Sequence, residues 1–161
     1  GESIVLRLLQ KDAAIFDFPR YGMYNLHPSD LASSIGVGTK PVEHTVSLGH
    51  KTSRTTFHVV NEVMDGGVII GKSPEINITL PDGGYPEDIL SLYNKVCSVC
   101  GWMAVDLLMS VAERKSRSGQ GRIESLDFEE SMPDDVKNIL MEPAGHDSRH
   151  SYALPLHTAL R

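Results

Sequence analysis

The stretch Met23-Tyr24-Asn25-Leu26-His27-Pro28-Ser29 decides how this sequence folds. Residues 23–27 alternate apolar and polar side chains, which predicts a short strand, and Pro28 ends that strand. Because alternate side chains of a strand leave the same face, Asn25 and His27 can converge on one ligand atom. The pair lies at a strand end, which is where open α/β sheets hold their ligands. The stretch therefore predicts both a sheet and a site.

The segments that follow this strand extend the sheet. Small and flexible residues predict a loop over residues 28–39, of the kind that often carries ligands. A proline at a tolerated first-turn position predicts a short helix over residues 41–48. Runs of β-branched and aromatic residues predict three further extended segments, with turn residues between them. These are residues 55–60, 67–71 and 75–80, and residues 61–66 form the tight connection between the first two.

The longest periodic segment begins at Pro86. Apolar residues recur at steps of three and four, which predicts one amphipathic helix over residues 86–114. Cys97 and Cys100 fall in the middle of that helix. We expect them to pack in its interface, since a thioredoxin-like pair would need a helix N-terminus. Further along, a short helix ending near Met141 and a non-periodic surface extension are expected.

The composition limits the class of protein. With 161 residues, 40% of them apolar, the chain can bury one core without disulfides. A net charge of -6 argues against nucleic acid or membrane as the main partner, because both reward clustered cations. No apolar run approaches the roughly 20 residues of a membrane span. The two cysteines do not form the disulfide framework of a secreted protein, so a cytoplasmic or organellar interior is expected. The scattered histidines predict no metal site.

Three motifs occur in order along the chain: Asn25-x-His27-Pro28-Ser29, then Thr56-x-His58, then Asp65-x-Gly67, with Asp65 seven residues after His58. Their order and spacing, with a long helix afterwards, resemble the folate-dependent formyltransferases. That family includes glycinamide ribonucleotide transformylase, methionyl-tRNA formyltransferase and the sugar N-formyltransferases. The resemblance covers roughly residues 18–112. It implies an α/β fold with a formyltransferase-like (Rossmann-like) sheet.

The resemblance implies a one-carbon transfer at these positions. N10-formyltetrahydrofolate would be the formyl donor, and a small-molecule amine would be the acceptor. Asn25 and His27 would donate hydrogen bonds to the oxyanion that develops on the formyl oxygen. Asp65 would favour the imidazolium form of His27 and accept the proton that the attacking amine loses.

The resemblance also assigns binding residues. The connection before Asp65 would embrace the pteridine of the folate with its main-chain groups, and it comprises Val60, Asn61, Glu62, Val63, Met64 and Asp65 itself. Ser29 and His58 would contact the substrate. Each has a second interpretation: His58 as a structural histidine held by a backbone carbonyl, and Ser29 as a cap of the turn after Pro28.

Two departures from the family bear on the acceptor and on domain organisation. The sequence Asp30-Leu31-Ala32-Ser33 replaces apolar residues and a proline, which leaves the acceptor open among glycinamide ribonucleotide, an amino sugar and, less favoured by the charge, a charged initiator tRNA. We expect the N-terminal nucleotide-fold half of the family to be missing from this chain. We therefore expect residues 1–117 to be the C-terminal half of a catalytic domain, completed by a longer polypeptide or a partner chain. Residues 118–161 would be an extension with a short helix and an irregular tail.

Two other functions fit the same motifs. A formyltetrahydrofolate hydrolase would use water as the acceptor. A non-catalytic binding or interaction module would keep the sheet as a scaffold, because a fold does not fix a function. Titration with a folate analogue separates the enzymatic functions from the scaffold, and the oligomeric state stays open.

Overall fold

The computed structural model describes residues 5–6, 19–119, 122–147, 152 and 154. The predicted tail beyond residue 147, apart from those last two residues, lies outside the described part. In chain order the elements are β1 (Val5–Leu6), β2 (Met23–His27), α1 (Lys40–Ser47), β3 (Thr52–Ser53), β4 (Thr56–Val59), β5 (Ile69–Lys72), β6 (Ile76–Asn77), α2 (Ile89–Cys97), α3 (Cys100–Ser118), α4 (Phe128–Ser131) and α5 (Asp134–Met141).

Four strands form the main sheet in the order β1-β2-β4-β5. β1 runs parallel to β2, whereas β4 is antiparallel to both of its neighbours. β2 and β4 pair residue by residue, which places Asn25 opposite His58 and His27 opposite Thr56. The smaller sheet pairs β3 with β6. The α/β class is therefore confirmed, and β2 has the bounds that alternation predicts.

The predicted helices differ from the structure at one point. The helix expected over residues 41–48 is observed as α1, Lys40–Ser47, with its proline in the first turn. The single helix expected over residues 86–114 is wrong, because α2 ends at Cys97 and α3 begins at Cys100. The two cysteines flank a helix junction and do not lie inside a helix. Buried residues recur across the junction at Val96, Val99 and Met103, which is why the apolar period does not reveal it.

One hydrophobic core joins the sheet to the helices. Tyr24 of β2 stacks on Phe57 of β4, with ring centroids 5.6 Å apart, and Phe128 of α4 meets Phe57 edge-on at 5.9 Å. Val136 and Leu140 of α5 are buried in the same cluster. The residues on both sides of the boundary expected at residue 117 thus share one core, and the described residues after it include two helices where one was expected.

The stretch Ile89–Ser118, which spans α2 and α3, is long and apolar enough by length and composition to cross a membrane. Its most apolar window has a mean hydropathy of 1.5, and 33% of that window is buried in the protein. The expectation that no apolar run approaches this length was therefore wrong. The core helix of a soluble protein meets the same criterion, and Leu92, Trp102 and Leu107 of this stretch belong to the core.

Candidate active site

The pairing of β2 with β4 brings an amide against an imidazole. Asn25 and His58 are opposite each other in the sheet, and Asn25 Nδ2 lies 3.1 Å from His58 Nε2. His58 Nδ1 lies 2.9 Å from the carbonyl oxygen of Val59, to which it donates. Because an amide nitrogen only donates, His58 Nε2 must accept. These contacts together define one neutral tautomer of His58.

Burial supports the same state of His58. The ring is 2% exposed, and burial is the main cause that lowers its pKa below the ordinary value of 6.5. The hydrogen bond to Val59 and the nearby Asp65 carboxylate act in the opposite direction without reversing the shift. His58 is therefore an acceptor that fixes the orientation of Asn25, in keeping with its structural interpretation.

The orientation of Asn25 leaves one of its atoms unsatisfied. Its nitrogen is held by His58, and its oxygen Oδ1 is buried without a hydrogen-bond partner within the described part of the chain. A buried acceptor with no partner costs about 1–3 kcal/mol. A ligand that carries an N–H or O–H group would remove that cost.

His27 is enclosed by the loop that follows it. Its ring is 2% exposed, and Nε2 lies 2.9 Å from the carbonyl oxygen of Ser34, to which it donates. The Ser29 hydroxyl donates to the same carbonyl oxygen at 2.7 Å. Ser29 thus holds the loop at this point, as its capping interpretation suggests. The remaining nitrogen of His27, Nδ1, faces Asp65 Oδ1 at 3.6 Å.

Asp65 brings its carboxylate to both histidines from a strained turn. Its φ of 54° lies in the left-handed region, which aspartate tolerates better than most residues. Oδ1 lies 3.6 Å from His27 and 3.8 Å from His58 Nε2, and Oδ2 accepts from the backbone N–H of Gly36 at 3.3 Å. Both histidine distances exceed a hydrogen bond, so a bridging polar atom can enter from the side.

The turn that carries Asp65 depends on local hydrogen bonds and on one glycine. The Asn61 side chain accepts from the backbone N–H of Val63 at 3.0 Å, and Gly66 N–H donates to the carbonyl of Val63 at 3.0 Å. A Cβ at Gly67 would lie 1.6 Å from the carbonyl oxygen of Val59. Only glycine therefore fits beside the end of β4 at this position.

A cleft of about 570 Å³ opens where β2 begins and β4 ends. Four of the six residues expected to embrace a pteridine line it, along with two arginines: Val60, Asn61, Glu62, Val63, Arg20 and Arg122. The other two expected residues are elsewhere. Met64 is 59% exposed at the surface, and Asp65 turns toward the histidines.

The structure thus brings together Asn25, His27, His58 and Asp65. None of these four residues lines the cleft, whose wall at residues 60–63 follows β4 directly in the chain. Sequence reasoning missed the backbone groups of Ser34 and Gly36, which leave no side-chain signal. It also missed Arg122, which lies 59 or more positions along the chain from residues 60–63 of the cleft wall. Among the described residues, no group of three or more His, Cys, Asp or Glu side chains is arranged to hold a metal ion.

Comparison with known proteins found a likeness to a solved structure. The chain is similar to methionyl-tRNA formyltransferase from Clostridium thermocellum, with 18% sequence identity and a TM-score of 0.48 over 86% of this chain. It spans 61% of the length of that protein. No protein-family model matches the sequence. No curated protein matches it either.

Proposed function

We propose that this chain is a formyltransferase domain that moves a formyl group from N10-formyltetrahydrofolate to a small-molecule amine. The observation that carries the proposal is the convergence of an amide, an imidazole and a carboxylate, with Asn25 Oδ1 left without a hydrogen-bond partner among the described residues. A purely structural cluster would gain by satisfying that oxygen internally. An amine or a folate N–H would satisfy it on binding.

Asn25 stabilises the negative charge that develops during such a transfer, and Asp65 accepts the proton that is lost. As an amine attacks the formyl carbon, the formyl oxygen becomes negative and the amine nitrogen must lose a proton. Asn25 is an amide donor held in one orientation by His58, and a preorganised donor of this kind typically lowers a barrier by about 3 kcal/mol. The Asp65 carboxylate is the proton acceptor nearest to both histidines.

His27 contributes through its Nδ1 atom. Nε2 is committed to the Ser34 carbonyl at 2.9 Å, whereas Nδ1 is 3.6 Å from Asp65 and outside hydrogen-bond range. When both nitrogens carry protons, Nδ1–H can donate either to Asp65 or to the oxygen of a bound formyl group. Substrate binding therefore inserts a polar atom between His27 and Asp65.

The cleft wall is suited to the pteridine edge of the donor. The main-chain groups of Asn61 and Glu62 would face the pteridine edge beside the Glu62 carboxylate, because the N–H groups of Val60 and Val63 already donate to the Met23 carbonyl and to the Asn61 side chain. Arg20 and Arg122 line the same cleft and suit the carboxylates of a folate tail, because guanidinium groups pair well with carboxylates. The net charge of -6 favours a small amine over tRNA as the acceptor.

A non-catalytic binding module is the second candidate, and the burial of His27 favours it. A ring that is 2% exposed, with one nitrogen bound to a backbone carbonyl, is also what a structural histidine shows. A module of this kind would keep the sheet as a scaffold, without binding folate or transferring a formyl group. Hydrolysis to formate, with water as the acceptor, is the enzymatic variant of the same site.

The test combines folate binding with turnover. Full-length protein is titrated with a stable formyl-folate analogue, and formyl-tetrahydrofolate is then supplied with a panel of amines while the formylated amine and formate are both measured. Asp65→Asn should leave binding within a few-fold and lower transfer by on the order of a hundredfold or more. The matched control is Asp82→Asn, since Asp82 also accepts a backbone N–H, that of Gly84 at 2.9 Å, but lies on an exposed loop.

Each outcome decides between the candidates. Transfer that is lost in Asp65→Asn and kept in Asp82→Asn supports the formyltransferase. Formate release without any amine product supports the hydrolase. A folded protein that shows no binding at saturating analogue supports the non-catalytic module, and binding without either reaction rejects both enzymatic candidates.

A further inference from the structure

Asp30 and Lys72 form an ion pair beside the candidate active site. Across the main sheet, His27 of β2 is opposite Thr56 of β4, and Thr56 is opposite Lys72 of β5. Because side chains directly opposite each other on paired strands lie on the same face of the sheet, Lys72 is on the face that carries His27. Lys72 Nζ donates to Asp30 Oδ1 at 2.7 Å. The ion pair therefore ties the loop after His27 to the last strand of the sheet.

Asp30 begins a tight turn over residues 30–34, called here the Asp30 turn. Its Oδ1 atom accepts the backbone N–H of Ala32 at 3.0 Å, and its carbonyl oxygen accepts the N–H groups of Ser33 and Ser34 at 3.0 and 2.9 Å. An aspartate that bonds the backbone two residues ahead stabilises a turn of this kind. The turn includes the residues Asp30-Leu31-Ala32-Ser33, in which the sequence departs from the formyltransferases. That departure therefore gives the loop a defined local shape.

The sheet holds the start of the Asp30 turn at three points. Thr56 Oγ1 donates to the carbonyl of Ser29 at 2.8 Å and accepts the N–H of Leu31 at 3.0 Å. Lys72 holds the residue between them, Asp30. Burial raises the pKa of Asp30, but hydrogen bonds from Lys72 and from the backbone lower it by more, so the pKa lies below its ordinary value. The Asp30 carboxylate is therefore ionised at neutral pH, and the ion pair is present.

The Asp30 turn brings the Ser34 carbonyl to His27. That oxygen accepts from His27 Nε2 at 2.9 Å and from the Ser29 hydroxyl at 2.7 Å. Because a carbonyl oxygen only accepts, Nε2 must carry a hydrogen, and Nδ1 of the neutral ring then holds the lone pair. Nδ1 faces Asp65 Oδ1 at 3.6 Å. The proton that the ring gains or loses is therefore the one on the side of Asp65.

We propose that Asp30 and Lys72 are positioning residues that, through the Asp30 turn, keep the hydrogen of neutral His27 on Nε2 and leave Nδ1 open toward Asp65. When the ion pair is lost, the turn loosens and the Ser34 carbonyl withdraws from Nε2. The hydrogen then exchanges through solvent to Nδ1, where the Asp65 carboxylate accepts it. The effect on catalysis rests on the proposed formyl transfer, whereas the placement of the hydrogen does not.

Long-range proton–nitrogen NMR spectra of the full chain measure that placement, because the signals of the two ring nitrogens show which one carries the hydrogen. The spectrum of His27→Gln identifies the His27 signals among those of the seven histidines. At a pH where the ring is neutral, wild-type His27 should carry its hydrogen on Nε2. Lys72→Met should give a mixture with the Nδ1–H form, and Lys72→Arg should restore the wild-type spectrum.

Two further variants make the test specific. Asp30→Asn keeps an oxygen for the Ala32 N–H but removes the charge that faces Lys72, so it should also give the mixture, and it decides the proposal if Lys72→Met fails to fold. The matched control is Lys137→Met, which removes the Lys137 ion pair with Asp134 on α5, 3.7 Å apart, and should leave His27 unchanged. A wild-type ring with its hydrogen on Nδ1, or a ring unaltered in folded Lys72→Met or Asp30→Asn, overturns the proposal.

Initial rates of formyl transfer measure the effect on catalysis. Lys72→Met should lower kcat by on the order of tenfold and leave KM within about threefold, since the change affects the alignment of a reacting group more than ground-state binding. The predicted NMR change in a protein that transfers no formyl group supports the positioning role and contradicts the proposed function. Transfer by Lys72→Met at the wild-type kcat, with the His27 spectrum unaltered, overturns the positioning role and leaves the proposed function standing.

Discussion

Substituting alanine for Gly67 tests the geometry that presents Asp65. The added Cβ would lie 1.6 Å from the Val59 carbonyl oxygen and 3.4 Å from His58 Nδ1. A carbon and an oxygen atom in contact normally lie about twice as far apart as the added Cβ and the Val59 carbonyl oxygen would. Because that oxygen belongs to the backbone, the turn itself must move. Overpacking of this kind costs about 1–3 kcal/mol. We expect the upper half of that range, which corresponds to a fall in unfolding temperature of roughly 4–12 °C for a chain of this size.

Urea unfolding and thermal unfolding measure this loss, and titration with the folate analogue measures the displacement of Asp65. Gly84→Ala is the matched control, since its Cβ would meet only the side chain of Asp82, at 3.2 Å. The control should change stability by less than about 0.5 kcal/mol. If Gly67→Ala matches Gly84→Ala in both unfolding and binding, the turn does not have the conformation described here.

Three further predictions concern charge. Asp65→Asn should lower the rate of formyl transfer by on the order of a hundredfold or more, as initial rates will measure. It should change the free energy of unfolding by less than about 1 kcal/mol in urea titrations, because the amide oxygen can still accept from the Gly36 N–H. Burial lowers the pKa of His58 below 6.5 in the folded protein, so the unfolded chain binds more protons than the folded chain as the pH falls below 6.5. Acidification should therefore destabilise the wild type more than His58→Gln, as parallel urea titrations will measure. Burial lowers the pKa of Lys95 from 10.5 to about 8 in the folded protein. The free energy of unfolding of the wild type, relative to that of Lys95→Met, should therefore rise between pH 8 and 10.5, by about 3 kcal/mol at most. Urea unfolding at several pH values measures this difference.

Local patterns in the sequence predicted most of the sheet. The alternation of side chains predicted the observed bounds of β2, Met23–His27. The β-branched runs predicted the ends of β4 and β5 to within two residues of those observed. Strands are predictable in this way because their two-residue period shows directly which side chains are buried. The four-residue helix α4 was missed, since it is too short for periodicity and its main signal is the Asp127 cap on the Glu130 N–H. The junction at Cys97 and Cys100 was missed because the apolar period continues through it.

The site was predictable only in part. The spacing of Asn25 and His27 follows from strand geometry, but their distances to His58 and Asp65 depend on strand pairing and on a turn with positive φ. The enclosure of His27 by the Ser34 carbonyl is a contact between a side chain and a distant backbone atom. Such contacts are set by the path of a loop, and the small polar residues of that loop are compatible with many paths.

The structure of the full chain in complex with a stable formyl-folate analogue tests the account most directly. We predict that the pteridine edge lies against residues 60–63, with the formyl oxygen within hydrogen-bond distance of Asn25 Nδ2 and the formyl carbon between Asn25 and Asp65. An analogue bound on another face of the protein, or one that leaves Asn25 Oδ1 and Asp65 without new contacts, would contradict the proposed formyl transfer.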